Sequence, residues 1–328
     1  MRTTDGTHRG ERITAHERYD SESGEIMDSS GVNHTERVPG TSIEYIGPPL
    51  TGTDRVPRPR GVLFDFDGTL SLVREGWTEL MVTQAVKELL KLRTGESTEE
   101  LTRITHEFVT RQTGKPTIFQ MIQLAEEIRQ RGGTPADPLV YQKRFHQRLA
   151  QRTRRRRESL RDGDDPAAFL VPGSRELLEY LRERDVTLYL ASGTSEADVV
   201  EELELLRIRE FFGPRVWGAR SDRPNFSKGW VVREQIPGND QIRGPELLGF
   251  GDGYVEIQEL RAVGGIAVAV ASDERYLVQM TETERNSPDP SYQRTDAWKR
   301  QRLIQAGAHA LIPDYRGIDP LLTRIFGE

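Results

Sequence analysis

The chain has 328 residues, room for two domains or one large α/β domain with an insertion, and is acidic, with 52 Asp and Glu against 46 Lys and Arg. The absence of cysteine excludes disulfides, thiolate metal sites and cysteine nucleophiles, and the net charge of −6 argues against general nucleic-acid binding. No stretch approaches the length of a membrane span and no signal peptide is visible, so a soluble, cytoplasmic protein with no membrane partner is expected.

Residues 1–41 are rich in Arg, Glu, Asp, Thr, Ser and Gly without apolar periodicity, and read as a disordered polar tail. Residues 42–46 form a short strand or lead-in, followed by a Pro/Gly/Arg-rich linker to Arg60. The apolar run Val62-Leu63-Phe64 is a strand that stops at Asp65-Phe66-Asp67-Gly68-Thr69. Residues two apart on a strand leave on the same side, so Asp65 and Asp67 crowd each other. Such a pair suits a Mg²⁺ site or a nucleophile beside a general acid; an Asp-rich turn is the plain alternative. Gly68 permits a sharp turn, after which amides and the Thr69 hydroxyl are placed to donate to a phosphate oxygen.

For about a hundred residues the pattern is then helical. Trp77, Leu80, Met81, Ala85 and Leu89 repeat at helical spacing; Ser97 with Glu100, and Thr117 with Gln120, read as capping pairs for the next two helices. A fourth helix starts at Asp137-Pro138 and fades into Arg152 and the run Arg154 to Arg157, read as a solvated face. The interhelix loop holding Arg111 and Lys115 carries two cations able to contact a phosphorylated substrate.

From Val171 strands and helices alternate. A helix from Ser174 is followed by a strand at 186–191 ending in Ser192-Gly193-Thr194, a helix from Ser195, and a short strand at Val216-Trp217. A helix opens at Ser227-Lys228, a strand at 246–251 ends at Asp252, and a helix at 254–263 precedes the strand 266–270. Residues 276–300 are polar and poorly periodic before a helix near 298–305, a strand at 310–312 and a closing helix at 319–326. The expected fold is α/β: a Rossmann-like parallel sheet with helices on both faces, made of residues 42–71 and 171–328, with residues 72–170 inserted as an all-helical cap. Asp65, Asp67, Ser192 and Asp252 then fall at the carboxyl ends of strands, where open α/β sheets bind ligands.

This ordered set resembles the haloacid dehalogenase superfamily, in its phosphatase branch with a helical cap after the first strand, the group that includes phosphoglycolate phosphatases and β-phosphoglucomutases. The resemblance covers residues 60–328. It implies Asp65 as nucleophile and Asp67 as general acid and base, with Gly68, Thr69, Ser192, Gly193 and Lys228 around the phosphoryl group. It further implies Mg²⁺ held by Asp65, Asp67, Asp252 and Glu256, the last standing where the family often has aspartate and able instead to contact Lys228. Asp67 separates the chain from the dehalogenases, and Thr69 favours phosphatase over sugar phosphomutase. The expected function is Mg²⁺-dependent hydrolysis of a small phosphorylated metabolite, a sugar phosphate or phospho-acid, through an aspartyl phosphate. The alternatives are a phosphomutase and a non-catalytic binding or regulatory module. No feature of the sequence speaks to oligomeric state.

Overall fold

The run Gly61–Phe64 becomes a strand because every one of its side chains finds apolar cover: Val62 and Phe64 point to one face of a sheet, and Leu63 points to the other. A computed structural model of the chain describes residues 35–46, 58–112, 117–220, 222–223, 226–272, 275–287, 289–293 and 295–327. In chain order the strands are β1 (Thr35–Arg37), β2 (Glu44–Ile46), β3 (Gly61–Phe64), β4 (Thr187–Ser195), β5 (Val216–Ala219), β6 (Leu247–Gly251), β7 (Ile266–Val270) and β8 (Ala310–Ile312). They form one sheet in the order β1-β2-β8-β7-β6-β3-β4-β5. The sheet is parallel from β8 to β5, and the pairs β1/β2 and β2/β8 are antiparallel.

One difference from expectation lies at this edge. Thr35–Arg37, assigned to the polar tail, is a strand paired with β2, so that tail was drawn too long. A three-residue strand with every side chain exposed carries no alternation to read. The rest of the tail, up to His34, falls outside the described residues.

The insert that follows β3 carries α1 (Trp77–Leu90), α2 (Thr98–Arg111), α3 (Ile118–Gln130) and α4 (Pro138–Arg161). They close over a core of their own that includes Met81, Leu89, Leu101, Phe108, Met121, Leu124, Tyr141 and Phe145. Ser97 accepts from the Glu100 amide at 3.1 Å as expected, whereas the Thr117 side chain makes no capping bond. The two chains joining this insert to the sheet run side by side: Leu72 N donates to Phe169 O at 2.8 Å and Val171 N to Leu70 O at 2.9 Å.

After the insert come α5 (Ser174–Arg182) and α6 (Glu196–Leu205), then α7 (Lys228–Trp230), which runs through a π-helical turn, Val231–Gln235, into α8 (Ile236–Asp240). They are followed by α9 (Tyr254–Ala262), α10 (Tyr276–Gln279), α11 (Glu282–Asn286), α12 (Ala297–Gln305) and α13 (Asp319–Phe326). Leu177, Leu203 and Leu321 of α5, α6 and α13 cover the sheet face of Phe64, Leu190 and Phe250; Ile236, Ile257 and Leu303 of α8, α9 and α12 cover the face of Leu63, Tyr189 and Ala267. Alternate strand residues thus feed two separate cores, the arrangement of a sheet buried on both sides. None of the described helices is long and apolar enough to cross a membrane.

Register sets up the site. Phe64, the last residue of β3, pairs with Leu190 of β4 on one side and Phe250 of β6 on the other. The residues just past those pairs include Asp65, Ser192 and Asp252.

Candidate active site

Asp65 follows β3 directly, with its amide donating to Phe250 O at 3.0 Å, and its side chain is buried. Burial pushes its carboxyl out of the ordinary carboxylate range to about 7; Lys228 pulls it back down, and Asp252 and Asp67 add to the rise. Lys228, at the first position of α7, reaches Asp65 Oδ1 with Nζ at 2.7 Å and also bonds Glu256 Oε1. Two arginines near it in sequence are engaged elsewhere, Arg220 with Glu196 and Asp222, and Arg233 with Glu259. The Ser227 hydroxyl accepts from the Trp230 amide at 3.1 Å, starting the helix that presents Lys228.

The chain turns back after Asp65 by bonds from the amides of Leu70 and Ser71 to Phe66 O, both 2.9 Å. Gly68 has φ +75, and a Cβ there would lie 2.5 Å from Asp252 Oδ2. Only glycine fits this approach, by which the β3 loop meets the end of β6. Thr69 is fully buried and its hydroxyl has no partner among the described residues.

Asp67 is held from two sides. Thr194 Oγ1 donates to its Oδ2 at 2.7 Å, and Ser192 Oγ lies 3.5 Å from the same oxygen; Arg74 Nη1 donates to its Oδ1 at 3.0 Å. Ser192 is buried and its hydroxyl accepts from the Thr194 amide at 3.0 Å, while Gly193 is exposed with open space where a Cβ would be.

Asp252, the first residue after β6, is also buried, and Lys299 of α12 donates to its Oδ2 at 2.8 Å. Glu256 sits in the first turn of α9 and bonds Lys228 through Oε1; its Oε2 is buried with no partner among the described residues.

The donor chemistry fits a hard divalent cation: two buried carboxylates, Asp65 and Asp252, meet at adjoining strand ends, with the Asp67 loop closed against Asp252 by Gly68. The four expected ligands do not form a ring of side chains. Among the described residues no three His, Cys, Asp or Glu side chains are grouped to hold a metal, and Glu256 bonds Lys228.

A cavity of about 570 Å³ opens onto Asp252 between the insert and α12, with Trp77, His106, Tyr254, Arg275, Trp298 and Lys299 in its wall. The insert is fastened to α12 beside it: Arg302 Nη1 donates to Thr110 O at 3.2 Å, and the Trp298 indole bonds the Thr110 hydroxyl. Of the two cations expected to meet substrate, Arg111 does not line this cavity; it is exposed and 3.6 Å from Glu107. Thr102, His106 and Thr110 recur every four residues on the face of α2 that lines the cavity, and Arg111 is about 100° around the helix from that stripe. Lys115 lies outside the described residues.

The arginine cluster is also corrected. Arg156 Nη1 donates to the carbonyls of Leu72, Val73 and Glu75 at 2.9–3.0 Å, Arg152 to Gly76 O at 2.7 Å, and Arg157 reaches Asp198, Glu201 and Glu202. These three fasten α4 to the connection after β3 and to α6; Arg154 and Arg155 are exposed.

A family model for haloacid dehalogenase-like hydrolases matches residues 59–264. No curated protein matches the chain significantly. Among solved structures it is similar to a conserved haloacid dehalogenase-like protein of Agrobacterium tumefaciens str. C58, with 16% identity and a TM-score of 0.52 over 82% of this chain and 100% of that one. It is also similar to a HAD family hydrolase of Deinococcus radiodurans R1 with bound phosphate and sodium, with 17% identity and a TM-score of 0.50 over 82% and 96% of the two chains. At these identities the likeness concerns the fold. The family match spans more than half of the residues, and the chain belongs to the haloacid dehalogenase-like hydrolase family.

Proposed function

We propose that this hydrolase cleaves phosphomonoesters by passing the phosphoryl group first to Asp65 and then to water. The observation that carries the reading is the buried Asp65 carboxylate, in contact with the Lys228 ammonium and flanked by Asp67 and Asp252. A buried carboxylate perturbed by desolvation and by named charged neighbours marks a functional site, and the Lys228 ammonium in contact with it favours the ionised form that attack on phosphorus needs.

In the first transfer an Asp65 oxygen bonds to phosphorus as the ester P–O bond breaks, and Asp67 gives its proton to the leaving oxygen. In the second, water attacks phosphorus, its proton passes to Asp67, and the bond to Asp65 is released. Lys228 offsets charge on Asp65 and the phosphoryl oxygens, while Ser192, Gly193, Gly68 and Thr69 line the ends of β4 and β3 as donors to those oxygens. The Thr69 hydroxyl, without a partner among the described residues, is consistent with such a task.

Mg²⁺ bound by Asp65, Asp252 and the Asp67 carbonyl would supply Lewis-acid charge to a phosphoryl oxygen. The leaving group is received in the cavity beside Asp252. Its mixture of aromatic and cationic wall suits a small phosphorylated metabolite, a sugar phosphate or phospho-acid, held by ring contact and a second anionic group.

Phosphate release from a panel of monoesters, with Mg²⁺ and with EDTA, tests the reading. Release that requires the metal and is lost in Asp65→Asn supports it. Isomerised sugar phosphate with little free phosphate would point to a mutase, and no turnover of any ester to a binding module.

A further inference from the structure

Arg74 follows the signature loop and bonds two carboxylates with one nitrogen: Nη1 lies 3.0 Å from Asp67 Oδ1 and 2.5 Å from Glu202 Oε2. Glu202, on α6, is fully buried. Its other oxygen accepts from Arg157 Nε at 2.8 Å and Nη2 at 2.5 Å. Arg157 stands on α4, the last helix of the insert, and also reaches Asp198 at 3.0 Å and Glu201 at 3.2 Å on α6. An unbroken run of charged bonds therefore leads from Asp67 through the core to the insert.

Packing does not explain this run. Burial raises the Glu202 carboxyl above its ordinary value, against the pull of Arg74 and Arg157. Buried ion pairs are commonly no more stable than apolar residues of the same volume, and their best-attested use is to fix one geometry among several. The geometry fixed here is that of Asp67. With Thr194 on Oδ2 and Arg74 on Oδ1, the carboxylate plane is pinned at both oxygens. A group that must hand a proton to one atom and take it from another depends on such placement, since misplacement by about 1 Å can cost about 10²-fold in rate.

We propose that Arg74 is a positioning residue for Asp67, and that Glu202 and Arg157 link that position to the seating of the helical insert. This rests on the phosphomonoesterase reading of the site. Because one nitrogen, Nη1, bridges the two carboxylates, a lysine ammonium at 74 can replace part of the contact but lacks the reach and fixed plane of the guanidinium.

The two transfers use Asp67 differently. A good leaving group, such as an aryl oxide, departs without a proton, so transfer to Asp65 survives a displaced Asp67; attack by water does not. Rapid-mixing kinetics of the full chain with Mg²⁺ and an aryl phosphate reads this directly. Arg74→Met should give a burst of about one equivalent of aryl alcohol, then a steady rate lower by about 10²-fold, with KM unchanged or lower. Arg74→Lys should recover part of the steady rate. Arg157→Met, further along the run, should show the same burst with a smaller loss. A raised KM with unchanged kcat would overturn the proposal by placing Arg74 on substrate, and so would a loss of rate without a burst. If Arg74→Met does not fold, Arg157→Met and Glu202→Gln decide, and normal steady rates in both overturn it. A wild-type chain that releases no phosphate refutes the phosphatase reading itself, a result seen without any variant.

Discussion

Lys299 Nζ donates to Asp252 Oδ2 at 2.8 Å, the carboxylate buried at the end of β6 and the lysine half-buried on α12. Lys228 does the same for Asp65. Each of the two carboxylates expected to meet a metal thus has its own ammonium, and a cation arriving at Asp252 must share or displace Lys299. Lys299→Met should therefore bind Mg²⁺ or Mn²⁺ more tightly, by about tenfold, or about 1.4 kcal/mol. Calorimetric titration, or the electron paramagnetic resonance of Mn²⁺, measures this apart from activity. Unchanged or weaker binding would contradict the competition.

The close approach at Gly68 gives a second prediction. In Gly68→Ala the new methyl would sit against the Asp252 carboxylate, at a φ that L-residues adopt at a cost of about 1–2 kcal/mol. The β3 loop and Asp252 must then separate. Thermal denaturation should show a modest loss of stability, while kcat/KM falls by at least about 10²-fold, because both ligand-bearing segments shift. Activity near that of the wild type would show that this contact does not set the site.

A third concerns stability and pH. His309 precedes β8; its Nδ1 accepts from the Ala267 amide at 3.0 Å and its Nε2 meets Arg261. Burial, with the Arg261 charge adding to it, lowers the imidazole from 6.5 to about 4. The folded state thus holds His309 neutral while the unfolded chain protonates it below about 6.5. Its contribution is full above that pH and is lost as pH falls towards 4. Urea unfolding at pH 7 and pH 5 should find the stability gap between wild type and His309→Gln narrowing at the lower pH. A gap that stays constant or widens would contradict the assignment.

Much of the fold was legible because apolar period and turn chemistry act locally. Leu63 and Phe64, Tyr189 and Leu190, and Leu248 and Phe250 announce buried strands, and polar residues at their ends mark where a ligand would meet the sheet. Residues whose meaning comes from contacts across the sequence were hidden. Arg74 and Glu202 are 128 positions apart, and Lys299 is 47 beyond Asp252 in a polar stretch without periodicity. The arginines of α4 looked solvated because their acceptors, the carbonyls of residues 72–76 and the acids of α6, adjoin them only once the insert has closed. The β1 edge strand, exposed and three residues long, had no pattern to show.

The central claim is that phosphorus passes through Asp65. Asp67→Asn should still accept phosphoryl from an activated aryl phosphate and should release it slowly, since water is no longer deprotonated. Quenching that variant during turnover and mapping its peptides by mass spectrometry measures the claim most directly. The account predicts one phosphoryl group on the peptide containing Asp65, absent when Asp65→Asn is added. Turnover with no modified peptide, or a phosphoryl group on a different residue, would contradict it.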